Sequence, residues 1–369
     1  MNDARRLFEV PGPGAYLLAH SVGCLPVAAR SAIDAALFAP WAGEASDGWP
    51  AWLDAIDGFR AAIAGLLGSR TELVCPQPSV SAALFSLLSG LPRVAGKDIL
   101  VGSRQAFPSI GFAMRTCERL GYRLTLIDGD PAAPSTWRDA IDDRVAAVVA
   151  MHVHSNSGHL SPIAEVTARA RSMGAVSIVD VAQSAGILPI DAESWGIDAI
   201  IGSCVKWLCG GPGAGFLWAS PGLIERATPL NVGWFSHADP FAFDIDDFRY
   251  APDARRFWGG TPSIAPYVVA TAGIETIAAI GVADILAHNR RLMDVFANAA
   301  DVDLDMSMRG GTLCLQSDRP DAFAAALAHA NARFDRRGNR VRMSFHIWNR
   351  DDEAVRIGAI ARDFSIALA

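Results

Sequence analysis

Between about residue 70 and residue 220, short apolar runs alternate with stretches of helical period. Asp98–Gly102, Arg123–Asp128, Val145–His152, Ala175–Asp180, Ala199–Gly202 and Gly215–Ala219 read as strands. Ser81–Ser89, Ile110–Leu120 and Ile163–Met173 read as helices between them. Short apolar strands separated by helices call for a mostly parallel sheet covered on both faces. In open sheets of this kind ligands collect at the carboxyl ends of the strands.

The pattern changes after Asn231–Pro266, a stretch crowded with Gly, Pro, Asp and aromatic residues. A long helix over about Ala270–Asn298 follows. Next come a strand at Gly311–Gln316, an alanine-rich helix at Pro320–Asn331, a strand at Arg340–Phe345 and a helix at Asp351–Ile366. That order reads as a small α+β domain. The expected division is a large domain over residues 21–265 and a small C-terminal domain over 266–369, joined by residues 1–20. There is no internal repeat, and helix propensity explains the alanine bias.

Composition narrows the function classes. The 369 residues suit about two domains at roughly 100–200 residues each. With 32 basic against 39 acidic side chains, a net charge of −7 leaves no basic excess for a phosphate backbone, so nucleic acid is not an expected partner. No apolar run approaches the roughly 18 residues of a membrane span, so no membrane partner is expected. The start, MNDARRLFEVPGPG, lacks the apolar core of a secretory signal. Six cysteines without a CxxC or a regular framework read as reduced thiols, so a cytoplasmic location is expected.

The chemistry concentrates in Ser177–Ser220. Asp180 ends one apolar strand, Lys206 follows another, and Gly210, Gly211, Gly213 and Gly215 open the turn behind the lysine. The chain has two lysines, Lys97 and Lys206, among many arginines. A lysine where arginine is the habit points to an amine needed as a nucleophile, a task a guanidinium cannot perform. A surface lysine at a strand end is the plainer alternative, although the neighbours SCV and WL are apolar. An amine and a carboxylate at neighbouring strand ends suit pyridoxal phosphate: the amine forms a Schiff base with its aldehyde and the carboxylate keeps the ring nitrogen protonated.

Motifs along most of the chain carry a resemblance. They are HSVG at His20–Gly23 (the family has NSLG), a Trp-rich segment at Trp41–Trp52, FPS at Phe107–Ser109 and DVAQSAG at Asp180–Gly186. KWLCGGPG at Lys206–Gly213, GWFSHADPF at Gly233–Phe241 and FWGGTPSI at Phe257–Ile264 follow, and RMSFHIWN at Arg342–Asn349 fits the wider class V pattern. Together they resemble the fold-type I, class V pyridoxal-phosphate enzymes, and within them the kynureninases. The resemblance implies an α/β fold-type I transferase architecture, pyridoxal 5'-phosphate as cofactor, a small amino-acid substrate and a homodimer with a shared active site.

It also implies roles by position. Lys206 and Asp180 would be catalytic, holding the cofactor aldehyde and the ring nitrogen, and Lys206 would shuttle the Cα proton. Gln183 would donate to the phenolate oxygen, and Phe107 would stack on the ring. Ser79 and Ser203 would cup the phosphate, and Asn156 would touch cofactor or substrate. Trp234 and Thr261 would reach the site from the neighbouring subunit, Trp234 touching substrate as well, and Arg342 would clamp the substrate carboxylate. Each position also has a plainer reading: core packing for the aromatics, a helix N-cap for Ser79, a structural salt bridge for Arg342. His152, His154 and His159 straddle a strand end without a carboxylate or thiolate to complete a set, so no metal is expected.

Three positions depart from the kynureninase pattern. Val205 replaces a tyrosine, Ile110 an aspartate and Gln183 a histidine, which removes protonatable groups that cleavage of an acyl side chain would use. A desulfurase would need a nucleophilic cysteine on a mobile loop before Arg342. Cys314 lies in a strand pattern instead, and Asp335–Asn339 is only a short remnant of such a loop. The expected activity is therefore kynureninase-like hydrolase or lyase chemistry on an α-amino acid. A class V aminotransferase, an epimerase, a C–S lyase and a non-catalytic cofactor-binding protein stay open.

Overall fold

The computed structural model describes residues 4–43 and 47–369. Residues 1–3, at the start of the 1–20 segment, and 44–46, inside the Trp-rich Trp41–Trp52 segment, lie outside the described residues. The central sheet has seven strands: Val74–Gln77 (β1), Ile99–Ser103 (β2), Arg123–Ile127 (β3), Val145–Met151 (β4), Val176–Asp180 (β5), Ala199–Ser203 (β6) and Gly215–Ala219 (β7). Their spatial order is β1-β7-β6-β5-β4-β2-β3. Strands β2 to β6 run parallel, so their carboxyl ends share one edge. β7 is antiparallel to β6, and β1 to β7. Every residue of β4, β5 and β7 is buried, as a sheet covered on both faces requires.

A second sheet is built from Leu313–Gln316 (β8), Asp335–Arg337 (β9), Arg340–Met343 (β10) and Ala367–Leu368 (β11). It is antiparallel throughout, in the order β9-β10-β8-β11. Leu292, Phe296, Phe323 and Phe345 pack over it in a core of their own, together with Ala15 and Leu17 from the chain start. Leu17 is laid against this sheet by backbone bonds to Arg333 and Ser344 of 2.9 and 3.0 Å.

The structure differs from the sequence expectation at several elements, each for a local reason. The long helix is two, Ala265–Ile280 and Val282–Ala300, bent by 75°. Gly281 breaks it with φ +95°, a conformation side chains resist. β1 escaped notice because Pro76 interrupts its pattern, which an edge strand tolerates. Trp49–Leu66 forms a helix that the Trp-rich sequence did not announce. The last helix stops at Ala361, and the chain turns through Ser365, at φ +46°, into the edge strand β11. Among the described residues no single helix is long and apolar enough to cross a membrane. All six cysteines are free and buried.

Candidate active site

A cavity of about 390 Å³ opens at the carboxyl edge of the parallel strands. Asp180 is the last residue of β5 and Ser203 the last of β6; the register sets Asp180 opposite Ile201, two residues before Ser203, and both strands end on the same edge. Lys206 follows in a tight loop. Its backbone is held by Cys204 N to Ala214 O at 3.0 Å, Gly210 N to Cys204 O at 2.7 Å and Cys209 N to Lys206 O at 2.9 Å. Cys209 takes φ +56°, a strain this loop imposes on a side-chain-bearing residue. The His20–Gly23 segment clips the loop from outside. Gly23 N bonds Val205 O at 2.8 Å, and a Cβ at Gly23 would stand 2.2 Å from Lys206 O, so only glycine fits.

Of the residues singled out from the sequence, Ser79, Phe107, Asp180, Gln183, Ser203, Lys206 and Arg342 all line this cavity. Asp180 is buried. Its Oδ1 accepts from Ala182 N at 2.8 Å, which leaves the second oxygen without a protein donor among the described residues. Burial pushes its carboxyl above the usual range, and Lys206 pulls the other way. Burial also lowers the Lys206 ammonium, opposed by Asp180 and assisted by Arg342 and Arg337. The low-dielectric pocket thus favours a free amine. Ser79 caps the ten-residue helix Val80–Ser89 and accepts from Ala82 N at 3.1 Å, its helix N-terminus facing the cavity. The Phe107 ring, 42% exposed, lies 5.9 Å from Lys206 Nζ and 5.5 Å from the Arg337 guanidinium carbon.

Three residues do not join this cavity within one chain. Asn156 sits in the adjoining cleft with Arg340 and Asn339, its Oδ1 accepting from Arg337 at 2.8 Å. Trp234 belongs to an aromatic cluster, 5.3 Å from Trp49 and 5.5 Å from Phe241. Thr261 is exposed on the surface.

Arg342 makes the salt bridge of its plainer reading rather than facing the cavity unpaired. It is 1% exposed and already holds a carboxylate of the chain, that of Asp335, while its Nη1 donates to Ser155 O at 2.6 Å. The β9–β10 register places Asp335 directly opposite Arg342. Gln183 donates to the backbone carbonyl of His20 at 3.1 Å. His20 and Arg337 line the cavity and Asp335 pairs with Arg342 beside it, and sequence reasoning gave none of the three a role. His20 stood in a quoted motif without a role. Arg337 and Asp335 lie on a three-residue strand that no hydrophobic pattern marks. Val205 and Ile110, two of the departures, face the cavity and make part of its wall apolar.

The remaining sequence candidates have local partners. His154 bonds Ser161 Oγ at 3.0 Å, and His152 packs edge-on against Trp195 at 4.7 Å. No group of three metal-ligating side chains occurs among the described residues. Cys314 is buried in β8 opposite Arg342, and burial pushes its thiol up to about 11. The residues present suit a pyridoxal phosphate group: a depressed amine, a buried acid with a free oxygen, an aromatic face, and hydroxyls at a helix N-terminus for an anion.

Comparison with known proteins agrees with this chemistry. Residues 53–301 match the family model for aminotransferase class-V. The kynureninase of Pseudomonas fluorescens is 30% identical over 79% of this chain and 72% of its own. An uncharacterized aminotransferase of Bacillus subtilis, YcbU, is 28% identical over 83% of this chain and 82% of its own. The apo structure of a cysteine desulfurase from Thermococcus onnurineus NA1 superposes with a TM-score of 0.84, at 21% identity and covering 98% of this chain and 97% of that one, a likeness of fold.

Proposed function

This chain belongs to the class-V aminotransferase family, whose cofactor is pyridoxal 5'-phosphate, and on that premise we propose that it acts on an α-amino acid by kynureninase-like cleavage at the side chain. The observation that carries the reading is the meeting of Lys206 and Asp180 in one cavity with an anion cup beside them. When bound, the cofactor supplies an aldehyde for an amine to capture and a ring that accepts electron density. Lys206 Nζ would be the attachment point, and as a free amine it would hold and return the Cα proton of the substrate. Asp180, through its unpaired oxygen, keeps a proton on the ring nitrogen. Ser79, Ser203 and the start of the Val80–Ser89 helix hold the phosphate, Phe107 covers a ring face and Gln183 donates at the ring edge. Arg342 receives the substrate carboxylate. Asn156 contacts the ligand from the mouth.

Trp234 and Thr261 fit the reading as residues lent to a neighbouring subunit, in a homodimer. Around Trp234 the chain leaves Phe243 79% and Ile245 94% exposed, an apolar patch that a second copy would cover. Sedimentation of the native protein is expected to show a dimer. A Phe243→Asp/Ile245→Asp double variant is expected to sediment as a monomer with weakened cofactor retention. A native monomer that keeps its cofactor would contradict this.

A second reading, amino-group transfer without carbon–carbon cleavage, is favoured by the apolar Val205 and Ile110 walls. A persulfide-forming desulfurase is disfavoured, because Cys314 is locked in a strand with its thiol held protonated. Product analysis by mass spectrometry across a panel of amino acids, L-kynurenine and its 3-hydroxy form included, separates these. L-alanine plus an aromatic acid from kynurenine supports cleavage; a 2-oxo acid without free ammonia, the amino group passing to the cofactor, indicates transfer. No product from any amino acid would overturn the proposal.

A further inference from the structure

We propose that Asp335 is a tethered competitor for the carboxylate site of this cavity: it fills Arg342 in the free protein and is displaced by the carboxylate of the incoming amino acid. The inference deepens the reading above and rests on it for the identity of the ligand.

One oxygen of Asp335, Oδ2, sits among three nitrogen-bearing side chains. It accepts from Arg342 Nε at 2.9 Å and from Arg342 Nη2, and lies 3.7 Å from Arg337 Nε and 3.9 Å from His20 Nε2. Arg342 and His20 are buried, and His20 Nε2 has no hydrogen-bond partner. The other contact of the Arg342 guanidinium is a neutral carbonyl, that of Ser155. Burial and the Arg342, Lys206 and Arg337 charges hold the His20 imidazole well below its usual range, so the charge here is that of the guanidinium. A buried guanidinium without a counter-charge is costly, so Arg342 calls for an anion. Its present occupant is the chain's own carboxylate.

Receptor and occupant are not equally fixed. Arg342 is 1% exposed and anchored at Ser155, whereas the Asp335 side chain is 26% exposed. Asp335 opens β9, which pairs on one side only and returns through the two-residue Gly338–Asn339 turn, with Gly338 at φ +58°. Rotation of the side chain to water leaves that ladder intact. Arg342 cannot follow, and its vacated Nε and Nη2 donors then meet the ligand carboxylate as a parallel pair.

A tethered carboxylate competes at an effective concentration far above that of dilute small acids. Ligand affinity falls by the fraction of molecules in which the site is open. Simple carboxylates therefore fill the site poorly. An amino acid would bring a second anchor, its amine, to the cofactor aldehyde held at Lys206, and so displace Asp335.

The test is equilibrium calorimetry on the holoenzyme and its Asp335→Asn and Asp335→Ser variants, with thermal melting to verify folding. Three probes are used: L-alanine, propionate (carboxylate without amine) and L-alaninamide (amine without carboxylate). Both variants are expected to bind L-alanine and propionate about tenfold more tightly, with L-alaninamide unchanged. Adding Arg342→Gln to Asp335→Asn is expected to erase the gain. Weaker or unchanged propionate binding in both variants would make Asp335 a positioning partner of Arg342 and overturn the proposal. Failure of the functional reading shows differently: L-alanine would leave the absorbance of the bound cofactor untouched, while propionate would still report on Asp335.

Discussion

Lys206→Ala is expected to lose covalent cofactor capture and to lower turnover of any substrate by about 10⁴-fold or more, the scale seen when a covalent nucleophile is removed. No other lysine side chain lines the cavity. The chain has one further lysine, Lys97, whose Nζ donates to the Asp143 and Met173 carbonyls at 2.7 and 2.6 Å, away from the cavity. Lys206→Arg is expected to fail equally, because a guanidinium keeps its proton and cannot attack a carbonyl. The pH dependence has a definite sign. Burial, with Arg342 and Arg337 nearby, holds the Lys206 amine below the ordinary lysine range against the pull of Asp180. The free amine is therefore present at lower pH than for an exposed lysine, and cofactor capture should begin there. Absorbance of the reconstituted protein across pH, for wild type and both variants, checks this. A Lys206→Ala protein that matches wild type in colour and turnover would refute it.

Asp180→Asn is expected to retain the cofactor but to lose about 10²–10³-fold in turnover, as for loss of one preorganised electrostatic group. The amide keeps the shape of the carboxyl and its bond from Ala182 N, so the local turn should survive. What disappears is the negative charge opposite the ring nitrogen. Burial alone favours a neutral Asp180, and any positive charge on Lys206 opposes that. A protonated ring nitrogen would do so more strongly, since opposite charges at contact in a dry site stabilise each other. Without it the ring holds its proton less well and accepts electron density poorly. Cofactor content measured beside turnover distinguishes this from a binding defect. Turnover within a few-fold of wild type would remove Asp180 from the chemistry.

The cavity edge of the sheet was legible because it rests on local pattern. Apolar strands named the parallel sheet, and the residues that end β5 and follow β6 named the pair that meets in the cavity. Ser79 was legible as a cap before an apolar helix. The other side of the cavity was not legible. His20, Asp335 and Arg337 come from distant segments, and only tertiary packing brings them there. Asp335 meets Arg342 through a hairpin register that three polar residues, DRR, do not announce. The Arg342 expectation named the type of partner, a carboxylate, but in the structure that carboxylate belongs to the chain. The long helix was misjudged because glycine reads as a tolerated interruption until its φ is known. Trp234 and Thr261 stand apart from the cavity within one chain, and their proposed place in a neighbouring subunit is a matter for the sedimentation test.

The most direct measurement is a peptide map. Protein reconstituted with pyridoxal 5'-phosphate is reduced with borohydride, digested and sequenced by tandem mass spectrometry. The account predicts a single pyridoxyl adduct on the lysine of the peptide containing Val205–Lys206–Trp207. An adduct on Lys97, or none on either lysine, would contradict it.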